Sequence, residues 1–153
     1  METLIVSSPC FENEGPIPID YTGRGADRSP ELVLIGLSKD AISIAIVMND
    51  MDHPIPGYNH WVIWNIPAMS VIPGDIPCGK QVESLNGAVQ GVGYGKHKYR
   101  GPKPPFKSSH IYHFYVYALD CLLDLPSNTR KKALLNAMQG HMIQEALLVG
   151  HYR

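Results

Sequence analysis

The chain has 153 residues, of which 44% are hydrophobic and 18% charged, so it can bury a core and is too apolar for a disordered protein. Lysine and arginine number 13 against 14 for aspartate and glutamate, and the net charge of −1 gives no electrostatic basis for binding a nucleic-acid backbone. No apolar run is long enough to span a membrane, and the first residues lack the basic segment of a secretory signal.

Cysteine usage indicates the compartment. Cys10, Cys78 and Cys121 are widely spaced and form no CxxC pair. An odd number of cysteines without a disulfide framework is typical of free thiols in a reducing environment. We therefore expect a cytoplasmic protein, with one domain over residues 1–153.

Short β-branched and apolar runs predict five strands in chain order. They cover residues 3–7, 32–37, 42–49, 60–66 and 111–119. Thirteen prolines and fourteen glycines separate these runs and disfavour long helices. The third run is apolar on both faces, which is typical of a strand in the middle of a sheet. Residues 84–99 are glycine-rich and predict a long irregular loop, a kind of segment that is more often functional than accidental.

One segment predicts a helix. In SNTRKKALLNAM, residues 127–138, Leu134 and Met138 recur at helical spacing, and Ser127, Asn128 or Thr129 could provide the cap. The later segment ALLVGHY predicts a closing strand. Many strands, one late helix and no βαβ alternation favour a mostly β protein, a β-sandwich or Greek-key architecture.

Polar side chains stand at the mouths of two predicted strands. Asp50 and Asp52 precede a proline-rich turn and His60, and His110 and Tyr112 open the last long strand. Alternate residues of an extended segment share a face, which predicts that each pair points the same way. Imidazole and phenol donors suit phosphate oxygens, whereas a carboxylate suits an ammonium or a hydroxyl group. The alternative is turn chemistry, with the aspartates bonding their own backbone and the histidines serving structure.

Four motifs together resemble one known family. NDMDHP followed by NHWVIWNIP, then GPKPP and HIYHFYVYALD, are similar to the phosphatidylethanolamine-binding protein family, in its bacterial and archaeal Raf-kinase-inhibitor-like branch. LPSNTR before the helix and GHMIQEALLVGHY near the C-terminus agree, and the resemblance covers nearly the whole chain. It implies an antiparallel β-sandwich with a Greek key, one or two short C-terminal helices and an anion pocket at one edge.

The resemblance also implies which residues form that pocket. By their positions in the motifs, the ligand-binding residues are Asp50, Asp52, Pro54, His60, Gly101, Pro104, Pro105, His110 and Tyr112. Family members bind phosphate-like anions and phosphoryl head groups without an established catalytic reaction, and several regulate other proteins. The resemblance thus implies a binding protein with no cofactor, and it allows a kinase or protease as partner and a homodimer.

Two departures from the family pattern stand out. Ile111 occupies the place of an arginine, where we expect a structural change and an intact pocket. The segment PPFKSSH lacks the glycine of the family loop, and its Lys107 points either to the pocket rim or into solvent.

Two other functions remain open. A metal could use Asp50, Asp52, His53, His60, His110 or His113, although no HxH or HExxH pair is present. A phosphoryl or ester hydrolase could use Asp50 as base and an imidazole as acid, although GxSxG is absent.

Two expectations concern the pocket walls and their charge. Residues 52–56 and 101–105 are expected to include a cis X–Pro bond, because tight ligand-lining turns favour locked geometry. Anion binding is expected to weaken above neutral pH, because two carboxylates tolerate an anion mainly when His60 or His110 is protonated.

Overall fold

The computed structural model describes residues 3–105 and 108–153, so the expectation for Lys107 lies outside the described residues. The strands found there are β1 (Ile5–Ser7), β2 (Gly15–Pro16), β3 (Leu32–Ile35), β4 (Ser43–Asp50), β5 (Tyr58–Pro67), β6 (Val71–Ile72), β7 (Gln81–Val82), β8 (Ala88–Gln90), β9 (His110–Leu119) and β10 (Met142–Tyr152). The helical elements are α1 (Lys131–Met138) and two 3₁₀ turns, Ile19–Tyr21 and Glu83–Leu85.

The strands form two sheets. The smaller sheet has the order β1-β3-β6, and the larger one has the order β2-β10-β9-β4-β5-β8-β7. All pairs are antiparallel except β2 with β10. After β8, on the far side of β5, the chain returns to place β9 beside β4, which is a Greek-key connection. The predicted mostly β sandwich with a short C-terminal helix is therefore confirmed.

The helix begins later than its sequence pattern predicts. Arg130 occupies the N-cap position, and among the described residues no side chain caps the first turn. The hydroxyl of Thr129 donates instead to the carbonyl of Pro126 at 2.6 Å. The expected Ser, Asn or Thr cap is wrong because these residues form the turn that precedes the helix.

Two apolar layers cover the larger sheet. Ile44, Ile46 and Met48 of β4 pack in the cluster shared with the smaller sheet. Ala45 and Val47, which alternate with them, pack in the cluster that includes α1. All eight residues of β4 are buried, as expected for a strand covered on both faces. No helix in the described segments is long and apolar enough to cross a membrane.

The buried side-chain amide of Gln90, the last residue of β8, connects β5 to the segment that precedes β7. The side chain of Gln90 accepts the indole N–H of Trp61 at 2.8 Å and donates to the carbonyls of Pro77 at 2.9 Å and Gly79 at 3.0 Å. Its own carbonyl accepts the Nδ1–H of His97 at 3.0 Å. Residues 99–105, which follow shortly after His97 in the chain, form one wall of the site described below, so Gln90 helps to fix this wall.

We expect Gln90→Leu to lower the free energy of unfolding by about 3 kcal/mol, because it leaves one buried donor and two carbonyls without partners. Chemical denaturation of the variant and the wild type measures this difference. Gln81→Leu, the same change at an exposed position of β7, is the control and should stay within about 0.5 kcal/mol. Equal losses in both variants would contradict the role given to Gln90.

Candidate functional site

The ends of three neighbouring strands enclose a cavity of about 220 Å³. β4 lies between β5 and β9, so Asp50 at its end is the cross-strand neighbour of both Tyr58 and Tyr112. The lining residues are Asp50, His53, Pro54, His60, Tyr94, Arg100, Gly101, Lys103, Pro104, Pro105, His110 and Tyr112. The structure thus brings together eight of the nine residues that the family resemblance assigned to a ligand pocket.

Asp50 is a buried carboxylate held by hydrogen bonds. Its two oxygens lie 2.8 and 3.0 Å from Nδ1 of His110, and Oδ1 also accepts the backbone N–H of Asp52 at 3.0 Å. The Nε2 atom of His60 lies 3.9 Å from Oδ2. Because carboxylate oxygens only accept, Nδ1 of His110 carries the proton, and Asp50 fixes the orientation of this imidazole.

His60 has a defined tautomer. Its Nδ1 lies 2.7 Å from the carbonyl oxygen of Arg100, which can only accept, so Nδ1 carries a proton. Burial lowers the pKa of His60, and this effect exceeds the opposing influences of the Arg100 hydrogen bond and the nearby Asp50 charge. At neutral pH the ring is therefore neutral, and its Nε2 is the atom that gains a proton when the pH falls.

The phenol of Tyr112 is the unsatisfied group of the cavity. The side chain is fully buried, and its hydroxyl makes no hydrogen bond of good geometry with the described residues, although the Asp50 carboxylate lies near it. Burial, and then the Asp50 carboxylate, raise the pKa of Tyr112 far above its ordinary value, so the hydroxyl keeps its proton. A buried donor without a partner costs about 1–3 kcal/mol, which a bound acceptor would recover.

Asp52 does not join Asp50 in the described lining. Its Oδ2 accepts the backbone N–H of Ile111 at 2.7 Å, on the exposed side of β9. The expectation that the two aspartates share a face is wrong, because β4 ends at Asp50 and the chain turns there. The alternative of turn chemistry is confirmed for this pair by the bond from the Asp52 amide to Asp50.

Gly101 lines the cavity for reasons of packing. Its N–H donates to Oδ1 of Asp27 at 2.8 Å and is therefore already engaged. A Cβ at this position would collide with the carbonyl of Tyr21 and with Thr22. The Gly101 amide is therefore not free to donate to a ligand, and the glycine is needed because two backbone segments approach closely.

The described loops contain no cis peptide bond, so the expected cis X–Pro is wrong. The turn after β4 is made at Gly57, which has φ of 74° and donates its N–H to the carbonyl of Asp50 at 3.0 Å. On the other wall, Arg24 donates to the carbonyl of Pro104 at 2.6 Å. Gly57, with its left-handed backbone, and the Arg24 side chain therefore hold the two walls in the fixed geometry that a cis proline was expected to provide.

The sequence interpretation missed an aromatic and cationic wall. The ring of Tyr94 lies edge-on to Tyr58, with centroids 5.1 Å apart, and to His60 at 4.9 Å. The guanidinium carbon of Arg100 lies 4.0 Å from the centroid of Tyr94, in a cation–π contact. Lys103 adds a second cation. Two signals could have found this wall: the two basic residues of YRGPKPP, and the glycine-rich loop that contains Tyr94.

The histidines and carboxylates named as possible metal ligands do not converge as a metal site would require. In residues 3–105 and 108–153 they form no group of three whose ligand atoms all lie within 4.8 Å of one another. His113 lies on the other face of β9 from His110, and its Nδ1 is 3.0 Å from the hydroxyl of Tyr115.

Fold and site together define a class of protein, a β-sandwich with a buried carboxylate–imidazole pocket at the ends of its central strands. Residues 7–153 match the family model described as phosphatidylethanolamine-binding protein. The chain is 40% identical over 153 residues to a UPF0098 protein of Pyrococcus abyssi, covering 99% of this chain and 86% of that one. The chain belongs to the phosphatidylethanolamine-binding protein family.

Two crystal structures share the fold. A putative phosphatidylethanolamine-binding protein homologue from Chlamydia trachomatis superposes with a TM-score of 0.86 at 32% identity, over 100% of this chain and 99% of that one. Escherichia coli YbcL, described as a new member of the mammalian family, gives 0.86 at 26% identity, over 98% of each chain. The resemblance seen in the four motifs is thereby confirmed.

The lowered pKa of His60 has a consequence for stability. Relative to the ordinary pKa of 6.5 the folded protein disfavours the charged ring, so the stability that the neutral ring permits is present above 6.5 and is lost as the pH falls through the lowered pKa. We expect the wild type to lose more stability between pH 7.5 and pH 5 than His60→Gln does. Denaturant titrations at both pH values measure this, and identical losses would contradict it.

Proposed function

We propose that this protein binds a phosphate-bearing or other small anionic ligand in the pocket of Asp50, His60, His110 and Tyr112. The observation that carries the proposal is the buried Tyr112 hydroxyl, a donor that keeps its proton and makes no hydrogen bond of good geometry in the described structure. An acceptor oxygen of a ligand is the partner that this hydroxyl requires.

The charges around the hydroxyl favour an anion. Asp50 is occupied by His110 and by a backbone amide, so its negative charge is partly compensated within the protein. Arg100 and Lys103 line the same cavity and contribute two positive charges. His60 supplies a further charge-assisted donor when its Nε2 is protonated. An anion in the cavity would thus be near two permanently charged cations, a phenol hydroxyl and an imidazole that can be protonated.

The size of the cavity limits the ligand. About 220 Å³ is below the range of about 300–1,000 Å³ that is usual for pockets that enclose drug-sized molecules. The proposal therefore covers inorganic phosphate, a phosphoryl head group or a similar small anion. A lipid could place its head group in this space only with its acyl chains outside.

We further propose that the protein acts by binding, as a regulator of a kinase, a protease or another partner, and not as an enzyme. None of the residues that line the cavity in the described structure is a serine, threonine or cysteine that could serve as a nucleophile. The three cysteines carry no disulfide, which supports a reducing cytoplasm as its location. A homodimer is compatible with this proposal and is not required by it.

The first test is calorimetric titration with inorganic phosphate and with phosphorylethanolamine. We expect Tyr112→Phe and His60→Ala each to weaken binding about ten- to hundredfold, because each removes a donor worth about 1.5–3 kcal/mol to a charged acceptor. Although Tyr112 belongs to the buried core, Tyr112→Phe should leave the free energy of unfolding unchanged or slightly higher, since the lost hydroxyl has no partner in the described structure. Tyr115→Phe, whose hydroxyl bonds His113 on the outer face, is the matched control.

The same titration at pH 5.5 and pH 8 tests the role of the imidazole. The lowered pKa of His60 means that an anion must draw a proton onto Nε2, so affinity should be higher at pH 5.5. Phosphate itself carries more charge at pH 8, and a sulfate or sulfonate probe separates the two effects. Equal sulfate affinity at both pH values, with His60→Ala like the wild type, would place the anion site elsewhere.

One observation favours a second function, hydrolysis of a phosphoryl or carboxyl ester. The buried Asp50–His110 pair has the geometry of a carboxylate that orients a general base. We expect no turnover of phosphomonoesters or generic esters above that of His110→Ala. Turnover by the wild type that this variant abolishes would establish the enzyme and overturn the binding-only proposal.

A further inference from the structure

A second group of chemically reactive side chains lies at the other end of β9. Asp120, Cys121 and His141 each place one potential metal-ligand atom so that all three lie within 4.8 Å of one another. Ten residues of extended strand separate the two ends of β9, a distance of about 30 Å. The group is therefore independent of the anion pocket.

The backbone holds this group in place through three elements. The Asp120 amide donates to the His141 carbonyl at 3.0 Å, which continues the β9–β10 ladder by one residue. The His141 amide donates to the carbonyl of Met138 at 2.9 Å, at the end of α1. The hydroxyl of Ser43 in β4 donates to the Cys121 carbonyl at 2.6 Å. The backbone therefore already holds the three ligand atoms close together, and it does not have to rearrange for a metal ion to bind.

The donor set is that of a transition-metal site. A thiolate, an imidazole and a carboxylate are the ligands that Zn²⁺ combines in proteins, at bond lengths of about 2.0–2.3 Å. A tetrahedral ion with such bonds places its ligands about 3.3–3.8 Å apart, and small rotations of these side chains achieve that spacing. Nδ1 of His141 now lies 2.9 Å from Oδ1 of Asp120, a contact that a cation between the two atoms would replace.

A surface ion pair does not account for the whole group. The side chains of His141 and Asp120 are 46% and 45% exposed, and an exposed pair of this kind contributes little to the stability of the fold. The Cys121 thiol lies beside this pair and adds a sulfur ligand atom to its oxygen and nitrogen atoms. The exposure leaves one side of the group open to solvent, where water or another small ligand could occupy a fourth position.

We propose that Asp120, Cys121 and His141 bind a zinc-like divalent transition-metal ion with a fourth position open to solvent. The cysteine distinguishes this site from one for magnesium or calcium, which take oxygen ligands. Binding would release the thiol proton to solvent as the metal–sulfur bond forms, and the oxidation states of metal and sulfur would stay unchanged.

Titration of the full-length, reduced protein with Co²⁺ tests the proposal, because cobalt reports its ligands optically. We expect one equivalent of Co²⁺ to produce a thiolate-to-cobalt charge-transfer band and the strong visible absorption of a tetrahedral site, both abolished by Zn²⁺. Cys121→Ser should lose the charge-transfer band, and both Cys121→Ser and His141→Gln should weaken binding by at least about tenfold. Cys78→Ser, a change at an exposed cysteine outside the group, is the control and should behave as the wild type.

A second measurement guards against misfolded variants. An ion that binds the folded state raises the unfolding temperature, so Zn²⁺ should raise it for the wild type and for Cys78→Ser. Because His141 is half exposed, His141→Gln should still show a cooperative unfolding transition. Its unfolding temperature should not rise when Zn²⁺ is added. Absence of any Co²⁺ or Zn²⁺ effect on the wild type, or binding that survives either substitution in the group, would overturn the proposal.

Discussion

The hydrogen-bonded contact between the Asp50 carboxylate and the His110 imidazole is the constraint on which the pocket depends. Asp50 ends a strand whose eight residues are all buried, and a carboxylate there is costly unless it is paired and hydrogen-bonded. The neighbouring strand supplies His110 at 2.8 Å, and the turn supplies the Asp52 amide. The same contact therefore stabilises a buried charge, joins two strands and orients an imidazole towards the cavity.

The rest of the cavity follows from this arrangement. The Asp50 carboxylate is hydrogen-bonded within the protein, whereas the Tyr112 hydroxyl makes no well-formed hydrogen bond in the described structure. Arg100 and Lys103, which are positively charged, also line the cavity. Tyr94 connects the two sides, since it packs against His60 and carries the Arg100 guanidinium on its face. A pocket that contains a carboxylate can thus favour an anion, because the Asp50 carboxylate is already hydrogen-bonded to His110, which it holds in place.

β9 joins two sites of different chemistry. Its first residues contribute His110 and Tyr112 to the anion pocket, and the residues that follow its last one contribute Asp120 and Cys121 to the proposed metal group. The strand lies between β4 and β10 in the larger sheet and is largely buried on its inner face. A rigid central strand holds side chains at both of its ends in fixed positions, which loops alone would not achieve.

The sequence by itself determined the class of fold and most of the pocket. Period-two patterning places alternate residues on opposite faces whatever the surroundings, so Trp61 and Trp64 pack in different clusters and His110 and Tyr112 share a face.

Only the tertiary structure decided where strands stop and which donors are already used. Asp52 turns to the Ile111 amide because β4 ends before it, and Gly101 gives its N–H to Asp27, 74 residues away along the chain. Asp120 and His141 are 21 residues apart in the chain and meet because β9 and β10 pair. Such contacts depend on strand register and backbone approach between distant segments, which local patterns do not encode.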